Sequence, residues 1–147
     1  SRSFLFPKRI LWTAGQVENS RRLLEKEEMQ ISLAAHEPCI LKNEKGEDDY
    51  LEPDIVVVCD LDKLDEKGCH GAPDWVIEIV SPSSKKRDYL KKTAIYMEQG
   101  VREYWIVDPM REVTVVYKRE EEGFPVIYKF GESVKAGIYE ELEITIK

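Results

Sequence analysis

The chain reads as an α/β protein built on a mixed sheet, and three observations predict it. Apolar runs rich in β-branched and aromatic residues stand at Ile55–Cys59, Trp75–Val80 and Glu103–Val107, the composition of strands buried on both faces. A helical segment, Lys85–Gln99, separates the last two runs, and strand–helix–strand is the order of a crossover between neighbouring parallel strands. Downstream, Val113–Lys118 and Val126–Phe130 flank a turn at Glu120–Gly123, which is the pattern of an antiparallel hairpin.

The elements follow in order. Gln16–Met29 is polar with few core positions and predicts a short surface helix. Gln30–Ala34 and Cys39–Lys42 predict short strands, and Asn43–Tyr50 an acidic loop centred on Gly46. Asp60–Gly71 is polar and ends in Gly68 and Gly71, so a loop with one helical turn is expected. Ser81-Pro82-Ser83-Ser84 starts a helix, and Gly100 ends it as a C′ residue. Within that helix Leu90, Ala94 and Met97 recur at i, i+4 and i+7, which predicts the core-facing stripe. Glu143–Ile146 is expected to close the sheet.

Composition excludes several classes. Apolar residues make up 42% and charged residues 35% of 147, which suits one globular domain over 1–147 and not a disordered chain. No stretch approaches the about 18 consecutive apolar residues of a membrane-spanning helix. Pro7, Lys8 and Arg9 interrupt the apolar residues of Ser1–Gly15, which argues against a secretory signal. The chain lacks an initiator Met, as a processed form or a fragment would. Its three cysteines, Cys39, Cys59 and Cys69, form no disulfide framework, which points to a reducing cytoplasm. A net charge of −7 argues against indiscriminate polyanion binding but leaves room for a local basic patch.

Chemistry concentrates in the middle third. Asp54 precedes an apolar strand, and Glu78 interrupts another. A lone strand carboxylate needs a cation, a metal or hydrogen-bond donors. Two carboxylates at the ends of neighbouring strands make a hard-oxygen site suited to Mg²⁺ or Mn²⁺. In the plain alternative, Asp54 caps a turn and Glu78 pairs with a nearby Lys or Arg. Lys85, Lys86 and Arg87 crowd the first turn of the helix, where the macrodipole is already positive. With the free N–H groups they suit a phosphate; alternatively they are solvated, with Asp88 as partial counterion. Lys92 shares a helix face with Asp88 and Tyr96 and can orient a nucleophile or stabilise negative charge, or simply pair with Asp88. His36, Cys39, Cys69 and His70 lack the paired spacing of a zinc site. Trp75, Tyr96, Tyr104 and Trp105 can stack on bases but, in apolar strands, read first as core; Asp74 reads as a decoy for the first acid, and Asp108 as a turn residue.

The run PDIVVVCD, then GAPDWVIEIVSPSS, then KKRDYLKKTAIYMEQGVREYWIVDP resembles the Uma-type family of restriction-endonuclease-like bacterial proteins, assigned to the PD-(D/E)XK nuclease superfamily. The resemblance is close over Pro53–Pro109, the expected core at 53–109, and looser through the C-terminal hairpins. It implies a restriction-endonuclease-like mixed sheet flanked by helices, and a Mg²⁺- or Mn²⁺-dependent endonuclease acting on DNA. By that resemblance Asp54 is the first acid and Glu78 the second, and the backbone carbonyl of Ile79 completes the metal shell. Val80 stands where the superfamily's lysine belongs, and the resemblance implies its migration to Lys92 on the helix. Lys85, Lys86 and Arg87 would grip the DNA backbone. The N-terminal 30 or so residues are atypical, and none of Glu18, Glu25, Glu27 or Glu28 matches a supporting acid. The missing lysine keeps a second class open: a catalytically silent nuclease-fold module that binds a protein or nucleic-acid partner. Hairpin edges over Val113–Phe130 also suit a homodimer.

Overall fold

The computed structural model describes residues 8–12, 32–35, 38–83, 86–122, 124–138 and 142–147; the side chains of 8–12, 32–35 and 86–88 fall outside the description. The helix expected at Gln16–Met29 lies outside the described residues.

A six-stranded mixed sheet carries the site. Its middle is β5 (Ile55–Val58), β8 (Trp75–Ile79) and β9 (Glu103–Asp108), flanked by β2 (Ser32–Ala35) on one side and by β10 (Val113–Lys118) and β11 (Pro125–Lys129) on the other. β8 and β9 pair in parallel and the helix α1 (Lys86–Gln99) connects them; every other pairing in this sheet is antiparallel. The mixed sheet and the C-terminal hairpin are therefore as the sequence predicts.

The three apolar runs follow from burial on both faces. Ile55, Val57, Trp75, Ile77, Trp105 and Val107 point to one face, and Val56, Val58, Val76, Tyr104 and Ile106 to the other. Trp75 and Trp105 meet on the first face with ring centroids 4.8 Å apart, a contact worth about 0.5–1.5 kcal/mol beyond its burial. That face is covered by Val134, Ala136, Leu142, Ile144 and Ile146. These come from a separate three-stranded sheet in which β13 (Leu142–Ile146) pairs in parallel with β1 (Lys8–Trp12) and antiparallel with β12 (Ser133–Lys135). The expectation that Glu143–Ile146 closes the main sheet is thus corrected. β13 alternates buried and half-buried residues, so it has one apolar face to offer and lays it on the main sheet.

The opposite face packs against α1 and a four-stranded sheet of β3 (Cys39–Lys42), β4 (Asp48–Leu51), β6 (Leu64–Asp65) and β7 (Gly68–His70). Two expected loops are corrected here. Asp48–Leu51 is a strand, paired with β3 across a turn held by the Asn43 side chain, which accepts from the N–H groups of Lys45 and Glu47. Its residues are exposed or half-buried, so their composition mimics a loop. Asp60–Gly71 holds a single 3-10 turn at Leu61–Lys63 and the strands β6 and β7. Gly68 allows β7 to approach the chain at Pro38: a Cβ there would lie 2.3 Å from the Pro38 carbonyl oxygen, at φ +134°.

The stripe expected on α1 is also corrected. Leu90 is 60% exposed, Ala94 is exposed and Met97 only half-buried, whereas Tyr96 is fully buried. Tyr89, Lys92, Thr93 and Tyr96 form the inward face, because the tyrosine rings reach the sheet from a distance that Ala94 cannot span. Gly100 closes the helix at φ +98°, as its position predicts.

Candidate active site

Strand alternation brings the two acids together. On β8, Val76 faces α1, so Glu78, two residues on, faces α1 as well. β5 and β8 pair with Ile55 opposite Ile77. One step outward along that register sets Asp54 opposite Glu78, on the same face. An Asp54 carboxylate oxygen (Oδ2) accepts a 2.7 Å hydrogen bond from the Ile79 backbone N–H, which ties the strand entrance to the end of β8.

Glu78 is 4% exposed. Its Oε2 accepts from Lys92 Nζ at 3.2 Å, and its Oε1 accepts from the Tyr96 hydroxyl at 3.3 Å. Burial pushes the Glu78 carboxyl above its ordinary pKa; the Lys92 ammonium opposes this, and the Asp54 charge adds to it. Tyr96 is pushed upward, first by burial and then by Glu78, so it stays a neutral donor. The Lys92 ammonium also sits 5.7 Å from the centroid of the Tyr89 ring, a cation–π contact worth about 0.5–1 kcal/mol. The result is a cluster of two carboxylates, one ammonium and one phenol, in which the metal-ligating groups are hard oxygens.

The structure thus brings Asp54, Glu78, the Ile79 backbone and Lys92 to one place. Lys92 pairs with Glu78; the side chain of Asp88, its other expected partner, is outside the description. Lys85 lies outside the described residues, and the backbone of Lys86 and Arg87 forms the first turn of α1. Asp74 accepts from the Cys59 N–H at 2.7 Å and lies 3.5 Å from Arg102, a role in chain positioning. Asp108 accepts from the N–H groups of Met110 and Arg111 and caps the turn after β9. Cys39 and Cys69 are buried neighbours across the β3–β7 pairing, His70 pairs with Asp65 at 2.6 Å, and His36 is outside the described residues. Burial, with help from Asp74, pushes the Cys59 thiol up to about 11.

Two residues of consequence escape sequence reasoning. Tyr96 reads as core or as a stacking ring, yet it donates to Glu78; the available signal is its i+4 spacing from Lys92. Glu103 reads as the polar start of a strand, yet it is 1% exposed. It accepts from Trp105 Nε1 at 2.7 Å and from the Gly137 N–H at 2.6 Å, on the face away from Glu78. Burial raises its pKa while these donors and Lys118 resist. Its role is to fasten the 136–138 segment, and only the tertiary fold reveals it.

The mixed sheet, with its parallel β8–β9 crossover and C-terminal hairpin, is the fold of the restriction-endonuclease-like class. A family model described as "Putative restriction endonuclease" matches residues 12–146, and the chain belongs to that family, Uma2. The crystal structure of a "putative nuclease belonging to DUF820" from Anabaena variabilis has a similar fold, with a TM-score of 0.67 at 19% identity. That similarity covers 86% of this chain and 71% of that one. No curated protein matches the chain. Among the described residues, no helix is long and apolar enough to cross a membrane.

Proposed function

We propose that the chain is a divalent-metal-dependent endonuclease that hydrolyses DNA phosphodiester bonds. The observation that carries this reading is the meeting of Asp54, Glu78 and Lys92 on one face, where the start of β5 adjoins the end of β8 in the middle of the sheet.

The donor set fits Mg²⁺ or Mn²⁺: Asp54, Glu78 and the Ile79 carbonyl are hard oxygens. Among the described residues no three His, Cys, Asp or Glu side chains gather as a metal cluster, so the two acids would rely on backbone and solvent oxygens. When bound, such an ion polarises a phosphate oxygen and makes its water a stronger nucleophile. Asp54 is already aimed by the Ile79 N–H. Lys92 favours the ionised form of Glu78 against burial and brings a cation to where phosphate charge develops. Lys86 and Arg87 in the first turn of α1, with Lys85 before them in the sequence, grip the DNA backbone. A net charge of −7 over the whole chain restricts binding to that local patch. We further propose that 1–147 forms one domain that works in the reducing cytoplasm of a bacterium, in line with three free cysteines. Homodimers would pair through the exposed β11 edge, where Ile127 is 65% and Phe124 69% exposed.

The test is cleavage of supercoiled plasmid and single-stranded DNA at low salt with Mg²⁺ or Mn²⁺, comparing wild type with Asp54→Ala, Glu78→Ala and Lys92→Ala. The expected result is metal-dependent cleavage lost in all three variants. Cleavage that survives them refutes the assignment. The second reading, a silent binding module, is favoured by Val80 at the usual lysine position. Calorimetry with Mn²⁺ separates the two readings, because a silent module has no need of the ion.

A further inference from the structure

Next to the acid pair is a cavity of about 290 Å³ between α1 and the ends of β8, β9 and β10. Tyr89 and Thr93 wall it from the helix, Ile106 from β9, Val115 and Tyr117 from β10. It belongs at the small end of the volumes that accept small ligands. The cavity and the acid pair share a wall. The ring of Tyr89 faces Lys92 at 5.7 Å, and Lys92 holds Glu78. A tier of aromatic rings also links them: Tyr96, which donates to Glu78, is 4.9 Å from Tyr104, and Tyr104 stacks on Tyr117 at 6.1 Å.

We propose that this cavity receives the base of an unpaired nucleotide beside the scissile phosphate. The inference rests on the nuclease reading and narrows its substrate to single-stranded or locally opened nucleic acid. Two tyrosine walls and aliphatic side chains offer the flat, apolar contact that a base seeks. Ser81 and Thr93 line the same space; the Thr93 hydroxyl donates to the Tyr89 carbonyl at 2.6 Å and Ser81 Oγ lies 3.1 Å from Ser83 Oγ, and both oxygens retain lone pairs that can accept from a base edge. Arg111, also on the wall, has a side chain 78% exposed and can meet a backbone phosphate. The Asp108 carboxylate, which accepts from the Met110 and Arg111 N–H groups, lies 3.8 Å from Arg111 Nε, so its charge is partly offset by that cation. A base still paired in a duplex cannot enter, so the nucleotide must be unpaired or turned out. Stacking also answers the charge problem, since a chain of net charge −7 gains little from general phosphate attraction.

The experiment is fluorescence anisotropy of the full chain with a labelled oligothymidylate and with an abasic strand of equal length, in Ca²⁺ to withhold cleavage. Wild type is expected to bind the base-bearing strand about tenfold more tightly, the scale of a stacked base. Thr93→Trp, which plugs the cavity from the half-buried inward face of α1, and Tyr117→Ala, which removes a wall, should abolish that preference and leave abasic affinity unchanged. Equal wild-type binding of the two strands, or a preference that survives Thr93→Trp, overturns the inference. If the abasic strand is bound equally well and is cut in Mn²⁺, the cavity inference fails while the nuclease reading stands. If neither strand is bound or cut, both fail.

Discussion

Lys92→Met removes the cation that, among the described residues, touches the buried acid. In wild type the Glu78 carboxylate, 4% exposed, accepts from Lys92 at 3.2 Å and from Tyr96 at 3.3 Å. Removing one partner of a buried ion pair costs about 3–5 kcal/mol when the other stays charged. Glu78 has an escape, because it can take up a proton. Its ordinary value is 4.5, so neutralising it at about pH 7 costs at most about 3.4 kcal/mol, at 1.36 kcal/mol per pH unit. Lys92 itself is 34% exposed on its side chain, so water already screens part of the attraction. The expected loss is therefore about 1–3 kcal/mol near neutral pH. The pH dependence has a definite sign. Burial raises the folded pKa of Glu78 in wild type, and losing Lys92 raises it further. The difference between the two proteins is absent below the wild-type folded value, grows between the two folded values, and is full above the higher one. Urea unfolding of both proteins across that range is the assay. A loss that is equally large where Glu78 is protonated, or no loss at neutral pH, would refute the ion-pair account.

Glu103→Ala strands the Trp105 Nε1–H and the Gly137 N–H, and should destabilise the fold by about 2–4 kcal/mol in urea unfolding; a change below about 1 kcal/mol would contradict the fastening role. Gly68→Ala forces a Cβ to 2.3 Å from the Pro38 carbonyl oxygen, at φ +134°, and should cost about 2 kcal/mol or more by thermal unfolding. Mn²⁺ affinity by calorimetry should rise with pH through the elevated Glu78 value, because the ion needs the ionised carboxylate and burial favours the protonated one. Over the same window the metal-free protein should lose stability as pH rises, since its folded state binds the extra proton. Glu78→Gln should flatten both curves.

The central sheet was legible in the sequence because its strands are buried on both faces. Ile55–Val58 and Trp75–Ile79 have no polar face to confuse the pattern, so Glu78 stands out as an anomaly. Asp48–Leu51 escaped notice because an exposed edge strand can be as polar as a loop. The helix stripe was misjudged because periodicity ranks Leu90 above Tyr96, while the distance to the sheet favours the longer ring. Glu103 was missed because, besides Trp105 two residues on, its donors are the N–H groups of Gly137 and Ile138, 34 and 35 residues away and beyond the reach of any local pattern.

By itself, the sequence determined the α/β class, the mixed sheet with its C-terminal hairpin, and the family. Those follow from local runs and ordered motifs, which are written along one dimension. It also determined that two acids and a lysine stand on neighbouring elements. Only the tertiary structure decided which faces they share. The β5–β8 register sets Asp54 opposite Glu78, and the rotation of α1 turns Lys92 and Tyr96 inward while Leu90 turns out. A shift of one residue in that register would send Asp54 to the other face, and register is chosen by the packing of both sheet faces at once.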